Sequence, residues 1–155
     1  MTTWSRFWRL SGRARRVVIE SGAALTVTYV GLRVAGFRRW KAALARLVPG
    51  PAGSTIATDR DELGFAQEIA RLEQAAARHL FVRTNCLERS LVLSWLLKRY
   101  GVAAELKVGA RKEEGRFEAH AWVEACGAVL NDPNETHRHF VPFEGSIASM
   151  ETQTH

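Results

Sequence analysis

Apolar residues recur at helical spacing through the first two-thirds of the chain, and the spacing changes to alternation after Gly101. Trp4, Phe7 and Trp8 stand at i, i+3 and i+4, which predicts a short amphipathic helix. Residues 17–37 form the most hydrophobic run, and its period continues through Trp40, Leu44 and Leu47. Two buried or half-buried helices are expected there, over residues 15–33 and 37–47. Pro49, Gly50, Pro51 and Gly53 make the clearest break in the chain. A further helix opens with Thr58 or Asp59 as N-cap and acidic residues in its first turn. Leu63, Ala66, Ile69, Ala70, Leu72, Ala76 and Leu80 supply its apolar face. Residues 86–100 predict the most apolar short helix, begun by Asn85 and Cys86 and stopped by Gly101.

Beyond that glycine the period is two. Residues 103–111 predict a strand, 113–115 a turn and 117–125 a second strand. Cys126 and Gly127 predict a tight hairpin into a third strand at 128–130, which Pro133 soon ends. The tail from Glu144 is polar and unpatterned. Helices followed by short antiparallel strands predict an α+β fold, with the Cys86 helix packed on a small sheet. The expected division is a basic helical region over 1–48, a core over 55–143 and a flexible tail over 144–155.

Composition narrows the class. With 155 residues and 46% apolar side chains, the chain is long enough for a core and too apolar for disorder. Two cysteines, Cys86 and Cys126, make no disulfide framework, so reduced thiols in a cytoplasmic protein are expected. The net charge of +6 is uneven: residues 1–48 hold ten basic side chains against Glu20 alone. That asymmetry suggests an anionic partner for the first third, whether nucleic acid, membrane surface or acidic polypeptide. No helix-turn-helix or RNA-binding signature is present, which argues against nucleic acid. The longest uncharged segment, 21–32, is shorter than the ~18–20 residues that span a bilayer. Interfacial aromatics flanked by arginines also suit a membrane surface. A signal peptide with Ala43-Leu44-Ala45 as its cleavage site is opposed by Glu20, by Arg33, Arg38, Arg39 and Lys41, and by the continuing helical period.

The chemistry lies in an order: Cys86 at a helix start, His120 on a strand, Asp132 at the end of the next. A sulfur at a helix N-terminus faces free N–H groups and the positive end of the helix dipole, which stabilise negative charge. An imidazole can take and return the proton, and a carboxylate can fix its tautomer. Each residue also has a plainer reading. Free cysteine is often a small buried hydrophobe, a strand histidine is often structural, and aspartate beside proline is often a turn former. Alternation sets His120, Trp122 and Glu124 on one face and Ala121 and Val123 on the other, and the alanines around His120 leave room for a substrate. Taken jointly the three point to a cysteine hydrolase. Zinc is the weaker reading, because no tight ligand pair such as C-x-x-C exists and His137 with His139 makes only a lone H-x-H. There is no phosphate-binding glycine loop, and neither metal nor cofactor is expected.

Cys86-Leu87-Glu88-Arg89-Ser90 with the helix to Gly101, then residues 106–109, Ala119-His120-Ala121-Trp122-Val123 and residues 129–132, resemble the lasso-peptide maturation peptidase. That family belongs to the transglutaminase-like (papain-related) superfamily. The resemblance implies a cysteine protease that removes the leader of a ribosomally made precursor before ring closure. It implies three partners: the leader region of that precursor, a separate leader-recognition protein as in the family's split form, and an ATP-dependent, asparagine-synthetase-like cyclase. It makes Cys86 the nucleophile, His120 the general base and then acid, and Asp132 the residue that orients His120. The Cys86 backbone N–H is the expected oxyanion donor, with Asn85 or Gln67 as the second. Trp122 either shields the site, contacts substrate or packs in the core, and Arg89 reads as a structural anchor. Two rivals stand: an acyltransferase with the same triad, and a non-enzymatic basic helical binding module.

Overall fold

The computed structural model describes residues 7–47, 59–80, 84–132 and 134–142. Ser11 caps the first long helix, α1 (Gly12–Arg46), its hydroxyl accepting from the Ala14 N–H at 3.2 Å. Gly36 interrupts α1 with φ 75° and ψ 167°, between the two segments that the hydrophobic period separates. Trp40 then lies against Gly31, where a Cβ would come within 2.4 Å of the indole. That glycine is what allows the second segment to bring its tryptophan onto the first. α1 also contains an 18-residue window of mean hydropathy 1.4, long and apolar enough to cross a membrane by composition alone. The count of uncharged residues understates this, because the window tolerates a charge.

Two more helices follow, α2 (Asp59–Arg78) and α3 (Cys86–Arg99), and all three pack on one another. Their shared core takes Val17 and Leu25 from α1, Ala66 and Ile69 from α2, and Val92, Leu93, Leu96 and Leu97 from α3. Val123 and Ala125 enter it from the sheet. Asp59 is already helical, and the other expected cap, Thr58, lies outside the described residues, as do Trp4 and the tail from Glu144.

The sheet is antiparallel throughout: β1 (Ala104–Glu113), β2 (Arg116–Ala125), β3 (Ala128–Val129) and β4 (Val141–Pro142), in the order β3-β2-β1-β4. Both hairpin loops have two residues at positive φ, Glu114 and Gly115 in one, Cys126 and Gly127 in the other. That is the turn geometry whose twist matches paired strands. β3 ends at Val129, one residue short of the expected span, although the Leu130 N–H still donates to the Val123 carbonyl at 3.0 Å. A 3₁₀ turn at Thr136–His139 and the two residues of β4, neither anticipated from the sequence, complete the fold. The result is the expected α+β architecture.

Candidate active site

The start of α3 is fixed by a reciprocal cap. The Asn85 side chain accepts from the Glu88 N–H at 2.9 Å, and a Glu88 carboxylate oxygen accepts from the Asn85 N–H at 2.9 Å. Cys86 is therefore the first helical residue, with a half-buried thiol. Helix geometry supplies no intrahelical acceptor for its N–H or that of Leu87. The Asn85 side-chain oxygen is committed to the cap, so only its NH₂ remains to serve an oxyanion. Glu88 is buried and also accepts from Arg33 at 3.0 Å, while that guanidinium sits 3.4 Å from the centre of the Tyr29 ring. α1 is thus tied to the turn that carries Cys86.

The next turn joins three elements. Ser90, with no exposed surface, donates its hydroxyl to the Ala121 carbonyl at 2.9 Å and accepts from Asn131 Nδ2 at 2.7 Å. Asn131 Oδ1 in turn accepts from the Val123 N–H at 2.9 Å. Ala121 follows His120, Asn131 precedes Asp132, and Ser90 is one turn after Cys86. Neighbours of all three expected catalytic residues therefore lock together. Arg89 makes a second anchor, donating through Nε and Nη2 to both oxygens of the fully buried Glu73, at 3.3 and 3.2 Å. Burial pushes the Glu73 carboxyl up and Arg89 pulls it down, leaving it above the ordinary glutamate value.

His120 and Asp132 are brought together: Nε2 of the imidazole lies 3.5 Å from Oδ2 of the carboxylate, and that nitrogen is buried outside hydrogen-bond alignment. Such contacts commonly tighten when substrate arrives. His120 makes ring contacts with Trp122, nearly parallel at 6.0 Å, and with Phe140 at 5.3 Å. Gly109 faces His120 across the ladder, and a Cβ there would meet Val141, Phe140 and Trp122 at 2.9–3.0 Å. Absence of a side chain at Gly109 lets the aromatic surround of His120 close. Trp122 is 1% exposed and donates its indole N–H to Glu124 at 2.8 Å, so it packs beside His120 with its polar edge satisfied.

Asp132 has a second histidine. His137 offers its backbone N–H at 2.5 Å and ring Nδ1 at 2.9 Å to the same Oδ2 that faces His120. Burial raises the Asp132 carboxyl, but the His137 backbone and ring, the Thr136 N–H and the charge of His120 outweigh it and hold the group below its ordinary value. An ionised carboxylate only accepts, so Nδ1 of His137 carries the proton in this contact. In the sequence His137 stands out only as half of an H-x-H pair. The 3₁₀ turn folds it back onto Asp132, and a histidine five residues on was the one available signal.

Gln67, the other expected oxyanion candidate, lines a cleft of about 270 Å³ with Arg71, Gln74, Arg89, Leu130 and Asn131. Arg89 is three residues from Cys86, so this cleft opens along the same side of α3. Among the described residues no group of three or more His, Cys, Asp or Glu side chains is arranged to hold a metal ion.

A family model described as the transglutaminase-like superfamily matches residues 24–144, which include all of these groups. No curated protein and no solved structure matches the chain. The chain belongs to the transglutaminase-like superfamily.

Proposed function

We propose that this transglutaminase-like protein is a cysteine peptidase that removes the leader from a lasso-peptide precursor. Superfamily membership supports the coarser statement, since the fold typically serves cysteine peptidases and acyltransferases. The observation that carries the catalytic part of the reading is the Ser90–Asn131–Ala121 clamp, which ties the helix start bearing Cys86 to the elements that hold the His120–Asp132 pair. The Cys-x-x-Arg-Ser and Ala-His-Ala-Trp-Val elements point to leader removal by resemblance.

In this reading His120 turns Nε2 to Asp132, which leaves Nδ1 to take the thiol proton of Cys86. The thiolate attacks the carbonyl of the last leader residue, and the Cys86 N–H at the helix start receives the developing oxyanion. Protonated His120 returns its proton to the departing core amine as the C–N bond breaks. His120 then removes a proton from water, which attacks the thioester and frees the leader acid and the thiol. Asp132 touches no reacting atom; it is a positioning residue. The cleft beside Arg89 takes the peptide on one side of the scissile bond. A separate recognition protein presents the leader, and the freed core amine passes to the ATP-dependent cyclase.

Mass spectrometry of the cognate precursor, incubated with this protein, its recognition partner and the cyclase, tests the reading. Cleavage at one leader–core bond that is lost in Cys86→Ala supports it. Equal cleavage by both proteins removes Cys86 as nucleophile, and transfer of the acyl group to an added amine in place of water converts the reading to an acyltransferase.

A further inference from the structure

α1 is apolar on two opposite sides. Its inner side, with Ala14, Val17, Ser21, Leu25 and Thr28, is buried against α2 and α3. On the outer side Ile19, Val27, Val30 and Val34 are 61, 55, 53 and 82% exposed. At 100° per residue these four fall within one quadrant, diametrically opposite the buried set. From Ile19 to Val34 the stripe runs about 22 Å, at 1.5 Å per residue. An exposed apolar stripe of this length along a helix is a candidate interaction surface.

Charge identifies what kind. Residues 7–47 carry nine basic side chains and a single acid, Glu20. The charge of Glu20 is offset within the protein: it is bound to Arg16, Arg99 and the Tyr100 hydroxyl at 3.0, 3.4 and 2.9 Å. Exposed Arg13 and Arg16 stand at one end of the stripe, and Arg38, Arg39 and Lys41 at the other. At the N-terminal end the stripe runs into an open groove of about 500 Å³ lined by Phe7, Trp8, Arg15, Arg16, Ile19 and the paired Glu20, where the Arg15 guanidinium lies 5.5 Å from the Trp8 ring. Aliphatic residues along a convex ridge, an aromatic residue at its end and arginines at both ends match the depth profile of a lipid interface. Between Ile19 and Val34 that quadrant holds no charged side chain, and Thr26 at its edge turns its hydroxyl back to the Gly22 carbonyl. Such a ridge carries little that would select a particular protein helix.

We propose that the outer face of α1 lies in the plane of an anionic lipid surface. It does not cross the bilayer, because the opposite face belongs to the protein core. The inference is independent of the peptidase reading, since α1's outer stripe shares no residue with the site.

Sedimentation of the full chain with vesicles tests it, using phosphatidylcholine alone and an equal mixture with phosphatidylglycerol. Binding is expected to the mixed vesicles only, and to weaken with salt. Val30→Asp with Val34→Asp is expected to reduce it by about a hundredfold or more. Both sites are exposed, so an unchanged thermal melt checks that the fold is kept. Arg38→Ala with Arg39→Ala is expected to weaken binding about fivefold per arginine removed. Cys86→Ala binds as the native chain does. Failure to bind the mixed vesicles, or retention of binding by the aspartate variant, overturns the proposal. So does a dimer in analytical ultracentrifugation that the aspartate variant dissociates, which would assign the stripe to a second copy.

Discussion

The two halves of α3 are built by different physics. From Leu91 to Leu97 its buried side chains are apolar but for Ser94, and they interlock with α1, α2 and the sheet. From Asn85 to Ser90 the same helix buries polar groups instead: Glu88 at 2%, Ser90 at 0%, with Arg89 reaching the buried Glu73. Dispersion and the hydrophobic effect are non-directional, so the apolar half holds the helix in place without specifying where one atom stands. Hydrogen bonds to Ala121, Asn131 and Arg33 are directional, and they set the position of the turn that carries Cys86. The difference teaches that the end with the candidate nucleophile is oriented by polar contacts and supported by apolar ones.

Four substitutions sharpen or break this contrast. Arg89→Ala removes one side of a buried ion pair and is expected to cost about 3–5 kcal/mol at neutral pH, by chemical denaturation. Burial holds the Glu73 carboxyl above its ordinary value. The stability of its neutral form is therefore present at low pH and lost as pH rises through the raised value. The cost of Arg89→Ala should accordingly shrink as pH falls through that raised value and Glu73 takes up its proton; a cost that grows on acidification would contradict the assignment. Leu93→Ala empties space in the apolar half and should cost about 2–5 kcal/mol. Turnover per folded molecule should nonetheless stay within about twofold of the native chain. Ser90→Ala is expected to cost only about 1–3 kcal/mol, because it leaves the Asn131 amide unpaired. Its turnover should fall by about tenfold or more, since misplacement of the reacting groups is expensive. If Leu93→Ala lost more activity per folded molecule than Ser90→Ala, the contrast would collapse. Asn85→Ala removes the cap and should lower stability by about 1 kcal/mol, read as a small drop in melting temperature.

The same contrast decided what could be read in the chain. Helical period in residues 86–100, the break before residue 37, alternation along β2 and the glycine-containing hairpins are local signals, and each appears in the fold as expected. The capping box is local too, with Asn85 and Glu88 three residues apart. Polar contacts between distant segments leave no such trace. Ser90 and Ala121 are 31 residues apart and Ser90 and Asn131 are 41 apart, so no period or motif announces their bond. β4 is two residues long and exists because Gly109 and Ala110 pair with it, which tertiary structure alone supplies. His137 reaches Asp132 through a 3₁₀ turn with Glu135 at φ 51°, a conformation few would assign to a glutamate from sequence. Of the candidate site, Cys86, His120 and Asp132 are expected from residue type and order, and the structure sets His120 beside Asp132. The clamp that joins their elements was not.

In the proposed mechanism Asp132 acts only through His120, and this dependence can be measured. It is tested most directly by a double-mutant cycle of Asp132→Asn and His120→Ala, read as kcat/KM for precursor cleavage. Asp132→Asn should lower kcat/KM by about a hundredfold or more in the native chain and change it less than about twofold once His120 is alanine. An equal loss in both backgrounds would show two independent contributions and contradict the account.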